Sequence, residues 1–212
     1  MKLYWGPHTC AIGIHILLEE IGLVYETEKV DVAGGETHKP EFKAINPKSK
    51  VPTLVRDDGS VLTEFGAIAS WLAHTYPDKQ LLPREAEGIA RVYEVLGYVE
   101  GTVHGQGFAR IFLPSRFEPQ DFVHQTIGIG KRSVVEQGKE MVRESFAILE
   151  SQWRGTAYAW GEGLTIADAA LFYAERWAPG QDIELPAHLR NHLEVMKARP
   201  AVRKVMEIWG ES

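Results

Sequence analysis

The chain has 212 residues, of which 44% are hydrophobic and 25% are charged, and its formal net charge is −6. This length and composition fit a globular protein of one or two domains and exclude a disordered chain, a collagen-like repeat and a coiled-coil rod. Acidic and basic residues are mixed throughout the sequence, so neither nucleic acid nor an anionic membrane is expected as a partner.

The sequence contains one cysteine, Cys10, and therefore no internal disulfide. No apolar run is long enough for a signal peptide or a membrane span, which predicts a cytoplasmic protein. No set of His, Cys, Asp and Glu has the spacing of metal ligands, so a metal site is not expected.

The first third of the chain alternates between short β-prone runs and helical periodicity, and the runs are separated by Gly, Pro and Asp-Gly turns. The predicted order β-α-β-α-β-β-α occupies residues 2–5, 11–21, 24–32, 39–45, 51–55, 61–62 and 65–76. This order predicts a small sheet whose last two strands form a hairpin.

A proline-containing linker follows at 78–85, and strand patterns nearly vanish beyond it. Helical periodicity occurs over 89–109, 134–153, 167–177 and 189–209, with a break at Pro200. The sequence therefore predicts an α/β domain over 1–77 and an all-helical domain over 86–212.

Cys10 follows the first strand and a Gly-Pro turn, and it begins the first predicted helix. The unpaired N–H groups and partial positive charge of a helix N-terminus favour a thiolate, which predicts a reactive cysteine with a lowered pKa. A small buried apolar filler is the alternative. Gly13 stands where a Cys-x-x-Cys motif has its second thiol, so dithiol cycling within one chain is excluded.

Two further features predict a peptide-like ligand. A cis bond between Val51 and Pro52 would turn the Val51 backbone groups toward an extended peptide, although the isomer stays open at this point. At the turn before the helix of 65–76, backbone N–H groups suit a carboxylate, and Glu64 suits an ammonium group, unless it is an ordinary helix-terminal charge. A small peptide with a carboxylate, an amine and a thiol fits these features.

In combination, these segments resemble the cytosolic glutathione transferase family over essentially the whole chain. The resemblance rests on Ile45-Asn46-Pro47 with Val51-Pro52, on Leu62-Thr63-Glu64 with Ala67-Ile68, and on the capping box between Thr165 and Asp168. Because a cysteine stands at position 10, the chain is similar to the bacterial beta class. This resemblance implies a thioredoxin-like first domain, an all-helical second domain and a homodimer.

The site residues are predicted partly by the resemblance and partly by their own positions and chemistry. Catalytic roles are expected for Cys10, His104 and Thr9, the last as a hydroxyl donor to the sulfur. Contacts with glutathione, the cosubstrate, are expected at Trp5, Lys50, Val51, Pro52, Glu64 and Phe65, although Trp5 replaces the usual tyrosine and Phe65 a frequent serine. A pocket for a hydrophobic electrophile is expected at His8, Phe108, Ile111 and Phe112. Core packing explains the apolar members of this pocket almost as well, and a surface histidine is the alternative for His8.

The expected function is that of a glutathione transferase, which activates the glutathione thiol for attack on hydrophobic electrophiles. His104 is expected to stabilise a thiolate or to act as an acid/base near neutral pH. Two alternatives stay open: a glutathione-dependent disulfide reductase that forms a mixed disulfide at Cys10, and a non-catalytic glutathione-binding protein.

Overall fold

The computed structural model describes residues 1–118, 133–154 and 157–211. Its sheet contains four strands in the order β2-β1-β3-β4. The strands are β1 (Lys2–Trp5), β2 (Glu26–Lys29), β3 (Thr53–Val55) and β4 (Val61–Thr63). β1 is parallel to β2 and antiparallel to β3, which forms the predicted hairpin with β4. This is the mixed sheet of a thioredoxin-like domain.

Three helices accompany the sheet: α1 (Ala11–Ile21), α2 (Pro40–Ile45) and α3 (Phe65–Thr75). Nine of the eleven residues of α1 are buried, because the helix lies between the sheet and the helical part of the protein. α1 ends at Gly22, whose φ of 78° lies in the left-handed region that glycine adopts readily.

The second part of the chain is helical, and the described residues contain no strand after Thr63. It comprises α4 (Ala86–Tyr98), a π-helical segment (Val99–Phe108), α5 (Ala109–Phe112), α6 (Val134–Ser151), α7 (Ile166–Glu175), α8 (Ala187–Ala198) and α9 (Pro200–Trp209). Within the described ranges, no helix is long and apolar enough to cross a membrane. The fold class expected from the sequence is confirmed, while the exact domain limits stay a prediction.

α7 is the centre of the helical part, and all ten of its residues are buried. The predicted capping box begins it, since the carboxylate of Asp168 accepts a hydrogen bond from the Thr165 N–H at 2.6 Å. At its other end, α7 brings Tyr173 and Arg176 close to the beginning of α1.

Two elements differ from the prediction. The single helix expected over 89–109 changes into a π-helix after Tyr98, and Gly107 in this segment allows a close approach to Gly138 and Val142 of α6. The strand expected over 24–32 is reduced to four residues, because it pairs only with the four residues of β1. The side chains of β2 are all exposed, so alternation alone did not indicate its limits.

Candidate functional site

Cys10 occupies the N-cap position of α1, and only 8% of the residue is exposed. Its Sγ lies 4.0 Å from the carbonyl oxygen of Val51. Burial raises the pKa of the Cys10 thiol to about 12, and the negative charge of Glu100 adds to this effect, while Arg176 opposes it. The expectation of a lowered pKa is therefore wrong for the ligand-free protein, because desolvation of a thiolate outweighs the helix N-terminus.

The loop that carries Val51 is held by the buried amide of Asn46. The side-chain nitrogen of Asn46 donates to the Lys50 carbonyl oxygen at 2.8 Å and to Oγ1 of Thr53 at 2.9 Å. The bond between Val51 and Pro52 is cis, which answers the question that the sequence left open. Within the described residues, the Val51 N–H has no hydrogen-bond partner, so it is free to pair with an extended ligand.

Glu64 precedes α3 with a φ of 71°. Its exposed carboxylate already pairs with Nζ of Lys48 at 2.8 Å, so the ammonium partner expected from the sequence is supplied by the protein itself in the ligand-free state. The ring of Phe65 is buried, and its centroid lies 5.1 Å from that of Tyr173. Phe65 therefore has only its backbone to offer to a ligand.

Glu100 lies in the π-helical segment and reaches the first turn of α3. Its Oε1 accepts a hydrogen bond from the Gly66 N–H at 2.9 Å. Burial and the nearby Glu64 raise the pKa of this half-buried carboxyl group. Sequence reasoning did not select Glu100, and its position four residues before His104 was the one available signal.

His104 lies in the same segment, and its ring centroid is 5.5 Å from that of Tyr173 and 5.0 Å from that of Trp177. Burial, followed by the positive charge of Lys50, lowers the pKa of His104 to about 4. The imidazole is therefore neutral at physiological pH, and the expectation of an acid/base that titrates near neutrality is wrong for this state. A neutral imidazole still donates and accepts hydrogen bonds.

Thr9 was expected to donate its hydroxyl proton to a sulfur. In the structure, Oγ1 of Thr9 donates to the Gly6 carbonyl oxygen at 2.7 Å, so that proton is already in use. The Thr9 carbonyl oxygen accepts a hydrogen bond from Nη2 of Arg176 at 2.8 Å. Arg176, which sequence reasoning also missed, pairs with Glu211 through its almost fully buried guanidinium group.

Trp5 was expected to contact glutathione, but its side chain is 4% exposed and belongs to the core. Its ring stacks on Trp209 with a centroid distance of 4.3 Å. Trp209 of α9 thus covers this ring, and a contact between Trp5 and glutathione stays a prediction. Nothing in the pattern around Trp5 indicated this partner from the other end of the chain.

The four residues expected at the electrophile pocket divide into two groups. Phe108 is fully buried and Ile111 is 8% exposed, so both side chains pack in the core, as the alternative interpretation held. Phe112 is 44% exposed and stacks on Phe108, with 5.5 Å between the centroids. His8 is exposed, and its carbonyl oxygen accepts a hydrogen bond from Nε1 of Trp177.

Trp177 connects these residues to the site around Cys10. Its ring contacts the rings of both His104 and Phe112, and its indole N–H bonds to His8. A molecule that lies against Phe112 and His8 is therefore next to the same tryptophan that contacts His104.

Fold and site together define a thioredoxin-like protein with a helical second domain and a cysteine at the first helix. The chain belongs to the glutathione transferase family. Residues 9–75 match the family model of the glutathione S-transferase N-terminal domain, and residues 132–207 match that of the C-terminal domain.

Individual relatives agree with this assignment. Glutathione S-transferase GstA of Escherichia coli O157:H7 is 32% identical to this chain, with 99% of both chains covered. A glutathione transferase homologue from Sulfitobacter, solved with bound glutathione, is 29% identical with a TM-score of 0.87 over 98% of this chain and 97% of its own. The beta-class glutathione S-transferase of Sphingomonas chungbukensis is 26% identical with a TM-score of 0.81, and both chains are fully covered.

Proposed function

We propose that this protein is a glutathione transferase that joins the sulfur of glutathione to a hydrophobic electrophile. The peptide would pair with the free backbone N–H of Val51, with Lys50 beside it, and its γ-glutamyl end would lie at the turn formed by Glu64 and Phe65. This placement brings the glutathione sulfur to Cys10. The family relationship and the glutathione bound in the Sulfitobacter homologue support it.

The observation that carries the proposal is the neutral, buried thiol of Cys10 beside the Val51 carbonyl oxygen. A thiol with a pKa of about 12 keeps its proton at physiological pH, so it is a poor nucleophile. It is nevertheless a hydrogen-bond donor, and a donor aimed at the sulfur of bound glutathione lowers the pKa of that sulfur. Cys10 therefore assists the nucleophile and does not replace it.

The reaction then balances without a redox change. The glutathione thiol releases its proton to solvent, and the thiolate accepts a hydrogen bond from the Cys10 S–H and contacts the neutral imidazole of His104. Its electron pair forms a new carbon–sulfur bond, and the leaving group departs with the electron pair of the bond that breaks. The exposed ring of Phe112, which contacts the same tryptophan as His8, provides an apolar surface for the electrophile.

The mixed-disulfide alternative requires Cys10 as a thiolate, since the thiolate is the attacking species in thiol–disulfide exchange. The buried, protonated state of Cys10 disfavours that step. A non-catalytic binding protein would use the same contacts without turnover, so activity has to be measured.

The test compares conjugation of an aromatic halide to glutathione by the wild type, Cys10→Ser and Cys10→Ala. If Cys10 acts as a donor, the serine variant should keep most of the conjugation activity. The alanine variant should lose roughly tenfold or more in activity, which matches the free energy of one hydrogen bond to a charged group. A glutathione adduct on Cys10 in mass spectra, with both variants inactive, would favour the disulfide reductase. Retention on immobilised glutathione without conjugation of any electrophile would favour the binding protein.

The homodimer is a further part of this proposal and rests on the family resemblance. Sedimentation velocity of the purified protein tests it directly, because a monomer of 212 residues and its dimer differ twofold in mass.

A further inference from the structure

Tyr173 is the one tyrosine of α7, and the packing of α7 against α1 places it level with Cys10. Two contacts fix the relative position of these antiparallel helices. Nη2 of Arg176 donates to the Thr9 carbonyl oxygen at 2.8 Å, and a Cβ on Gly13 would lie 2.5 Å from the Ala169 carbonyl oxygen. Tyr173 lies one turn from each contact point on α7, and Cys10 lies between the corresponding points on α1.

The ring of Tyr173 contacts residues from each part of the proposed glutathione site. Its centroid is 5.1 Å from that of Phe65, 5.5 Å from that of His104 and 5.1 Å from that of Trp177. Phe65 begins α3, and His104 belongs to the π-helical segment. Tyr173 therefore lies beneath the point where the two parts of the protein meet.

The hydroxyl group of Tyr173 is unusual because it is buried and unpaired. The residue has no exposed surface, and its oxygen has no hydrogen-bond partner in the part of the chain that the structure describes. Buried polar groups are nearly always paired, and an unpaired one requires an explanation. A phenylalanine would fill the same space without this penalty.

Burial, together with nearby charges, keeps this hydroxyl group protonated. Burial raises the pKa of Tyr173 well above its usual value, and negative charge on Cys10 or Glu100 raises it further. The same region contains Glu64, the neutral His104 and the Arg176 guanidinium group, which pairs with Glu211. Tyr173 is thus a neutral hydrogen-bond donor for which the described residues supply no acceptor.

We propose that Tyr173 is a positioning residue that donates a hydrogen bond to the sulfur of Cys10 when glutathione is bound. In the ligand-free protein, the S–H of Cys10 donates over a long 4.0 Å to the Val51 carbonyl oxygen, and apart from its own backbone N–H the sulfur has no donor in the part of the chain that the structure describes. A donor on a lone pair polarises the S–H bond of Cys10 and makes it a stronger donor to the glutathione thiolate. Tyr173 and Cys10 each keep their proton while they donate these hydrogen bonds.

This inference rests on the proposed function and is tested with Tyr173→Phe. The absorbance of the thiolate of bound glutathione is followed against pH, together with kcat and KM for conjugation. We expect the pKa of bound glutathione to rise by about half a unit in this variant. At a pH below that pKa, the fraction of glutathione present as thiolate then falls about threefold, and kcat should fall by the same factor. KM for glutathione should stay unchanged, and the melting temperature should stay equal or rise, since an unpaired buried hydroxyl group is removed.

Tyr25→Phe is the matched control. Its hydroxyl group is paired with Glu19, away from Cys10, so its loss should lower the melting temperature and leave the pKa of bound glutathione unchanged. If Tyr173→Phe leaves both the thiolate pKa and kcat of an active enzyme unchanged, the role of Tyr173 is refuted while the proposed function stands. If the wild type binds no glutathione as thiolate, both proposals fail.

Discussion

The carboxylate of Glu100 accepts a hydrogen bond from the N–H of Gly66, and this contact joins the π-helical segment to the first turn of α3. It places a half-buried negative charge beside the site of Cys10. Within the described residues, no cation pairs with Glu100. Its charge therefore contributes to the raised pKa of the Cys10 thiol, against the opposing charge of Arg176.

Glu100→Gln should lower the pKa of Cys10, because the negative charge that disfavours the thiolate is removed. The rate of Cys10 alkylation by iodoacetamide, measured by mass spectrometry against pH, reports one site, since the chain has a single cysteine. At a fixed pH below the pKa of Cys10, the alkylation rate should rise roughly threefold to tenfold, which corresponds to a pKa lowered by about half a unit to one unit. Glu94→Gln, which removes an exposed carboxylate of α4, is the control and should leave the rate unchanged. An unaltered pH profile in Glu100→Gln would show that burial alone protects the thiol.

Gly66→Ala should reproduce the effect of Glu100→Gln without removing a charge. A Cβ on Gly66 would lie 2.5 Å from Oε2 of Glu100, so the flexible carboxylate has to move away. Alanine favours a helix over glycine by up to about 1 kcal/mol, so the free energy of unfolding should not fall. The Gly66→Ala/Glu100→Gln double variant should alkylate no faster than either single variant, whereas additive effects would contradict a shared mechanism.

A buried histidine should make the protein less stable as the pH becomes alkaline. His192 is fully buried between Asp168 and Glu175, with nitrogen–oxygen distances of 3.1 and 2.8 Å. Burial alone would lower the pKa of His192, but the two carboxylates outweigh it and raise this pKa from 6.5 to about 10. The stabilisation is complete below the unfolded value of 6.5 and is lost as the pH rises through about 10.

Urea unfolding of the wild type should therefore give a smaller free energy of unfolding at pH 9.5 than at pH 6. His192→Asn should be less stable by about 3–5 kcal/mol at pH 6, as is usual when one partner of a buried ion pair is removed. This variant should also lose most of the pH dependence. His188→Asn, which alters an exposed histidine paired with Glu150, should keep it. A flat wild-type profile would mean that His192 is neutral in the folded protein.

The close contact between the π-helical segment and α6 should tolerate no side chain. A Cβ on Gly138 would lie 2.8 Å from the Gly107 carbonyl oxygen, which is backbone and cannot rotate away. Gly138→Ala should lower the free energy of unfolding by about 1–3 kcal/mol, the usual cost of overpacking. Gly97→Ala, where a Cβ meets open space inside α4, should be neutral or stabilising. Equal stabilities of the two variants would contradict this packing argument.

The sequence predicted the elements well where the signal is local. Helical periodicity predicted α1 over residues 11–21, which are its observed bounds, and the Asp-Gly turn predicted the β3–β4 hairpin. The capping box between Thr165 and Asp168 also begins the helix that it was expected to begin. In these cases, the chemistry that decides the structure lies within a few residues of the position concerned.

Long-range partners could not be predicted. The ring of Trp5 is covered by Trp209, a residue 204 positions further along the chain, and the Thr9 carbonyl oxygen accepts its hydrogen bond from Arg176, 167 positions away. Tyr173 carries no local signal, and Glu100 carries only its spacing from His104, because each residue acts through a helix that another part of the sequence forms. A pKa such as that of Cys10 depends on total burial, which no short pattern reports.

The contacts of Arg176 and Trp209 have a consequence for the order of folding. Arg176 holds the Thr9 carbonyl oxygen, while Trp209 stacks on Trp5 and donates a hydrogen bond to Nδ1 of His15 at 2.9 Å. During synthesis, the segment around Cys10 leaves the ribosome first, but it acquires these partners only after nearly all of the chain has been translated. The segment around Cys10 therefore reaches its final packing late, once Arg176 and Trp209 have been translated and have docked.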